Sequence, residues 1–367
     1  MPLAPELRFV DRTKVVRDGK TYVFFGGTDY HRMGSHPEVL RAFQEAAATE
    51  GLDCAGSRLT TGNYALLVQL ERKTAEFLGR DEAACCSGGY LSNTVALEAV
   101  REDFQRFFIS ASAHASVVTP AEALPRERLH PFKDPEDLAR ELKRRLRPGE
   151  KPLVLTDGVV SGSGVIPPLA AYWEAVREMD GKLLVDDSHG LGVVGPTGRG
   201  STEETGLPPR AFILSGTYSK GFGVFGGLVA GDRGLLEKVI RRSRAFVGAT
   251  PMPPPVTAAV LRGMEILRSH PELITGLRLR TLRMRERMAA LGFPTIASPA
   301  PIFSVTYGDE ARNRRLGGIL ERDGIFPTFI NYPGCPPGGH FRFTLSSAHT
   351  DEEVERLIRA IAASRAQ

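Results

Sequence analysis

Short apolar runs that alternate with helical stretches fill the middle of this chain, and the alternation dictates its architecture. Apolar runs at 83–86, 107–110, 153–156, 182–185, 211–215 and 226–230 are separated by stretches of helical pattern, among them 65–78, 91–106, 135–146 and 169–179. Strands that alternate with helices pair in parallel and need cover on both faces, so the expected fold is α/β with a large, mostly parallel sheet. Ahead of it, residues 7–25 read as two short strands about the turn Arg17-Asp18-Gly19-Lys20, and 37–50 reads as a helix opened by His36-Pro37. The run Pro251-Met252-Pro253-Pro254-Pro255 is the strongest punctuation and predicts both a long helix at 256–270 and a change of domain. The remainder reads as a smaller α+β domain. It closes on Thr350-Asp351-Glu352-Glu353, a capping box before Val354, Leu357, Ile358 and Ile361 at helical spacing. The expected organisation is an N-terminal segment 1–36, a large domain 37–250 and a C-terminal α+β domain 251–367.

Composition removes several classes of function. A net charge of +4, with no basic run set among aromatics, gives no sign of nucleic-acid binding. Cys54, Cys85, Cys86 and Cys335 have neither zinc-ligand spacing nor the density of a disulfide framework, so no metal is expected. No apolar run approaches the ~20 residues of a membrane span. Scattered thiols and a start, Met-Pro-Leu-Ala-Pro-Glu, without the order of a secretory signal lead to the expectation of a cytoplasmic protein.

The chemistry lies just past the ends of the apolar runs. Leu183-Leu184-Val185 ends in Asp186, at the strand end where open α/β sheets bind ligands. A later run leads into Gly216-Thr217-Tyr218-Ser219-Lys220-Gly221-Phe222-Gly223. A lysine between glycines can form a Schiff base with pyridoxal phosphate, and an acid can keep the pyridine nitrogen of that cofactor protonated. His189 can bond the cofactor's phenolic oxygen or a substrate carbonyl. Thr217 can offer a hydroxyl to a phosphate, and the glycines about Lys220 allow backbone to approach a bulky cofactor. Cys85 to Asn93 reads as strand, glycine turn and helix start, which presents free N–H groups to an anion; it is not a Walker loop. His114 can stack on an aromatic ring, and Ser161 follows another strand. Each residue taken singly has a plainer reading, as a turn acid, a solvated histidine or a surface lysine. Their coincidence past successive strands favours the chemical one.

With those residues in view, the chain resembles the α-oxoamine synthase family of fold-type I pyridoxal-phosphate enzymes from about Val23 to Thr350. Val185-Asp186-Asp187-Ser188-His189-Gly190, Gly195-Pro196-Thr197-Gly198-Arg199-Gly200 and Thr217 to Gly223 carry the resemblance. It implies a seven-stranded-type large domain and decarboxylative condensation of an amino acid with an acyl-CoA in a homodimer. It implies Lys220 as Schiff-base lysine, Asp186 as partner of the ring nitrogen, His189 as partner of the phenolic oxygen and His114 as the stacked ring. It further implies Ser161 beside the cofactor, Gly89, Tyr90 and Thr217 about the phosphate, Thr250 reaching the partner subunit's phosphate, and Arg342 on the substrate carboxylate. The family pattern is departed from at Thr28 (asparagine in the family), at Leu67 (histidine) and at Gly88 (serine), positions expected mainly near the substrate; for Thr28 and Leu67 a change of packing alone stays open as the alternative. Another pyridoxal-phosphate reaction, such as transamination, stays open as the alternative.

Overall fold

A computed structural model describes residues 4–331 and 338–365; Cys335 lies outside the described residues. The N-terminal region holds three antiparallel strands, not the two expected: β1 (Arg8–Asp11), β2 (Lys14–Arg17) and β3 (Lys20–Val23). The extra strand arises at Arg12-Thr13, a turn without glycine or proline to announce it. The legible turn, Asp18-Gly19, has φ of 51° and 76°, the two left-handed positions of a tight hairpin.

The central sheet contains β4 (Glu82–Cys86), β5 (Arg106–Ser110), β6 (Leu129–Phe132), β7 (Pro152–Asp157), β8 (Lys182–Asp186), β9 (Phe212–Thr217) and β10 (Gly227–Gly231). Its seven strands run in the order β4-β10-β9-β8-β7-β5-β6, and only β10 is antiparallel to its neighbours. The reversal follows from chain length. Residues 218–226 join β9 to β10 directly, and a parallel return needs a crossover of about a dozen residues or more. The strand β6 escapes the sequence pattern because Pro131 interrupts it; it pairs only with β5, on the sheet edge where proline is tolerated. The helix expected at 91–106 occupies Gly89–Val100 instead, since the chain must turn before β5 begins at Arg106.

Helices Pro37–Glu50, Ala65–Leu78 and Pro254–Ser269 share one large core with the sheet. Packing therefore continues across the proline run, whose Pro254 and Pro255 open the last of these helices. Leu67, expected among the substrate-side departures, belongs to this core: it is 0% exposed and lies on the buried face with Leu70, Thr74 and Leu78. The C-terminal unit has its own core. Helices Glu272–Ala290, Glu310–Arg322 and Asp351–Arg365 cover the antiparallel sheet β11 (Ile302–Val305), β12 (Phe329–Ile330) and β13 (His340–Thr344). The capping box forms: Glu353 N donates to Thr350 Oγ1 at 3.2 Å and Thr350 N to Glu353 Oε2 at 3.0 Å. Among the described residues no helix is long and apolar enough to cross a membrane.

Leu67→Ala is expected to destabilise the protein by about 2–5 kcal/mol through the cavity it leaves. The shift of the urea midpoint measures this, and a neutral substitution would return Leu67 to the site.

Candidate active site

The carboxyl ends of β4, β5, β7, β8 and β9 surround a cavity of about 500 Å³. Gly89, Tyr90, His114, Ser161, Asp186, His189, Thr217 and Lys220 all line it, so residues spread over much of the sequence meet in one place. Thr28 and Arg342 are half-buried and lie outside this lining, as does the exposed Thr250.

Asp186 is 6% exposed, and four donors converge on its carboxylate. Ser188 N and Ser188 Oγ donate to Oδ1 at 3.1 and 2.5 Å; Asn93 Nδ2 and Ser116 Oγ donate to Oδ2 at 2.6 and 3.1 Å. Ser215 Oγ holds the other end of Asn93 at 2.6 Å. Asn93 and Ser116 were not singled out from the sequence. Asn93 stands inside the quoted glycine-turn segment and Ser116 inside the quoted His114 segment, yet only tertiary contact reveals their task. His114 caps the helix Ala115–Ala121 by accepting from Ser116 N at 3.2 Å, and its ring is open to the cavity.

A second acid, Asp157, is paired in register with Asp186 on β7 and also lines the cavity. Its Oδ1 accepts from His114 N at 3.1 Å. Burial, and then the charge of Asp186, raise its pKa to about 8, so at neutral pH it holds its proton. Burial likewise raises Asp187 to about 7; Ser201 N donates to it at 2.6 Å.

At the start of the helix that carries Asn93, Gly88 is the N-cap of Gly89–Val100 and offers no side-chain cap, which leaves the first N–H groups of that helix free for an anion. A Cβ on Gly89 would stand 2.5 Å from Cβ of Thr217, so no side chain fits between the helix start and β9. Thr217 Oγ1 donates to Gly226 O at 2.7 Å and accepts from Ser219 N at 3.1 Å, which holds its hydroxyl beside the cradle. Tyr90 stands at the rim, 55% exposed, with its hydroxyl 2.8 Å from Thr119 Oγ1. Ser87 Oγ donates to Thr250 O at 2.6 Å, which brings Thr250 to the edge of the same turn.

Lys220 lines the cavity from the loop between β9 and β10, and burial pushes its ammonium below its ordinary pKa. A Cβ at Gly221 would collide with the carbonyl of Leu191, so this glycine lets the lysine loop pack on the loop of His189. Burial, then the charges of Lys220, Arg342 and His114, hold His189 well below its ordinary pKa, and its neutral ring has Nδ1 2.7 Å from the Tyr30 hydroxyl. Arg342 projects from β13; its charge reaches both Lys220 and His189, and its Nε has no described partner.

The donor set fits a phosphorylated pyridine aldehyde: an anion cradle that a Cβ would fill, a carboxylate for a ring nitrogen and an amine of lowered pKa for an aldehyde. The chain matches the aminotransferase class I and II family over residues 22–361 and belongs to it. It is 35% identical over 98% of its length to 8-amino-7-oxononanoate synthase of Stutzerimonas stutzeri, covering 91% of that protein. Serine palmitoyltransferase of Sphingomonas wittichii superposes with a TM-score of 0.89 at 26% identity, covering 97% of this chain and 90% of that one. A serine palmitoyltransferase variant of S. paucimobilis bound to PLP and myriocin gives 0.89 at 25% identity, covering 97% and 90%. Within the class, the chain is a member of the α-oxoamine synthases: PLP-dependent acyltransferases that condense an amino acid with an acyl-CoA and release carbon dioxide.

Asp157 carries a pH signature. A carboxyl raised by folding contributes stability in full below its ordinary value of 3.8, and loses it as pH rises through about 8. The Tm of the cofactor-free protein is therefore expected to fall as pH rises from about 4 to about 8, and Asp157→Asn to lessen that fall. An equally steep decline in the variant would contradict the assignment.

Proposed function

We propose that Lys220, Asp186, His189 and Arg342 divide the condensation among them, and that Lys220 and Asp186 hold the cofactor from its two ends. Bound pyridoxal phosphate supplies an electron sink for the α-carbon of the amino acid. Lys220 would be the amine that holds the aldehyde, and its lowered pKa would suit the same amine to take the α-proton of the amino acid. Asp186 pairs with the ring nitrogen. Gly89 N–H, with Thr217 beside it and Tyr90 at the rim, would receive the phosphate, and His114 and Ser161 would face the ring from the cavity lining. Arg342 orients the substrate carboxylate until it leaves as carbon dioxide, with Thr28 nearby on the substrate side. His189 offers a hydrogen bond to an oxygen of cofactor or acyl group. The amino acid, the acyl thioester and one proton give the α-oxoamine, carbon dioxide and the free thiol. The observation that carries this reading is the meeting of Lys220 and Asp186 on one cavity that the uncapped helix start at Gly89 also lines.

The working unit is a homodimer in the cytoplasm. Leu40, Phe43, Leu52, Leu59, Val68 and Phe225 are exposed apolar residues on the first two long helices, the segment between them and the lysine loop. A second copy that covers them would bury apolar surface no other described element covers, and Thr250, at the edge of its own protomer's cradle, would then also reach the neighbour's. Free thiols at Cys54, Cys85 and Cys86 suit a reducing compartment.

Carbon dioxide release is expected only when amino acid and acyl-CoA are both supplied. Borohydride should fix the cofactor to Lys220, and Lys220→Ala should abolish turnover. Asp186→Asn should lower kcat far more than it lowers Tm. Label on another lysine, or turnover with keto acids and no thioester, would overturn the reading. Sedimentation velocity is expected to report a dimer at assay concentration, and a fully active monomer would exclude shared sites.

A further inference from the structure

The hydrogen bond between Tyr30 and His189 joins residues 159 apart in sequence and is buried on all sides. Tyr30 is 1% exposed, and burial pushes its phenol up, so it is a neutral donor with one proton to place. Among the described residues, its hydroxyl has no acceptor other than Nδ1 of His189, at 2.7 Å. Were Nδ1 to carry the ring proton, that bond would run the other way and the phenolic proton would be left buried without an acceptor, which is the costlier state. The ring proton therefore sits on Nε2. His189 lines the cavity, and its Nε2 makes no hydrogen bond to a described residue.

From this geometry we infer that Tyr30 is a positioning residue that fixes the tautomer of His189, making the histidine a hydrogen-bond donor toward the cavity and not a base. Which nitrogen of an imidazole is free to donate is set by the bond its other nitrogen makes. The backbone of Tyr30 holds the arrangement in place. Its N–H donates to the carbonyl of Lys220 at 3.3 Å, and its carbonyl accepts from Ser347 N at 2.9 Å. Tyr30 is thus tied to the lysine loop on one side and to the C-terminal unit on the other. This inference rests on the proposed condensation only for its consequence. A histidine that arrives as a donor can stabilise negative charge developing on an oxygen of the acyl group or cofactor, and proton abstraction is left to Lys220.

The test uses the dimeric, cofactor-loaded enzyme and Tyr30→Phe, which keeps the ring and removes the hydroxyl. Nitrogen-15 NMR of His189 in the unsubstituted protein is expected to show the proton on Nε2, a measurement that needs neither turnover nor a variant. In Tyr30→Phe the ring should populate both tautomers, and kcat should fall about 10- to 100-fold, by analogy with the loss of partners that orient metal-ligating histidines. The KM for the amino acid should stay near its original value. In a His189→Asn background the same substitution should cost nothing more, since its effect passes through the histidine. A wild-type proton on Nδ1, or losses that multiply in the double variant, would overturn the inference. If the tautomer is as expected and no acyl-CoA condensation is found, the proposed function falls and the role of Tyr30 stands.

Discussion

The carboxylate of Asp186 is a buried negative charge, and the geometry of the site follows from how it is satisfied. Burying an uncompensated charge costs several kcal/mol, so the surrounding donors cannot be loosely placed. They come from different elements. Asn93 belongs to the helix that begins at the anion cradle, Ser116 to the short helix capped by His114, and Ser188 to the loop that carries His189. One carboxylate thus fixes the relative positions of the cradle, His114 and the loop of His189. Its charge also acts on Asp157, its neighbour across the strand pair, which keeps a proton at neutral pH. Two adjacent acids are compatible with one buried site because only one of them is charged.

Topology supplies the second constraint. Because β10 returns antiparallel beside β9, the loop of Lys220 is short and stays at the edge of the sheet where Asp186 ends its own strand. That loop then meets the His189 loop with almost no space between their backbones, at Gly221 and Leu191. The lysine and the histidine are set by one contact of main chains, and Tyr30 adds a hydrogen bond to each of them.

Most of the large domain was legible in the sequence because parallel strands buried on both faces read as apolar runs, and their ends identify the site. Asp186, His189 and Lys220 could be found that way. The features that escaped depend on contacts with no local signature. The strand β6 contains Pro131 and looks like a loop until its edge position is known. Asp157 and Asn93 are unremarkable polar residues until Asp186 is placed beside them. Tyr30 shows its role only because the N-terminal segment crosses to the lysine loop and to the C-terminal unit. Leu67 failed in the other direction: a departure from family pattern suggested a place near substrate, while helical spacing puts it in the core.

The two halves of the site differ in how tightly they are determined. Thr217, Asp157, Asp186 and His189 are each buried and hydrogen-bonded to a named partner, so replacing any of them leaves a polar group stranded. Thr28 and Arg342 are half-buried and stand outside the lining of the cavity, and the Nε of Arg342 has no described partner. An arginine whose Nε has no partner among the described residues is matched to a ligand that brings its own acceptors, such as a carboxylate. In the proposed reading, the end that would take the cofactor is completed by the protein's own donors, whereas the end assigned to Arg342 is left for the substrate to complete. Changes at the substrate end can alter which amino acid or acyl chain is accepted without disturbing the buried network about Asp186.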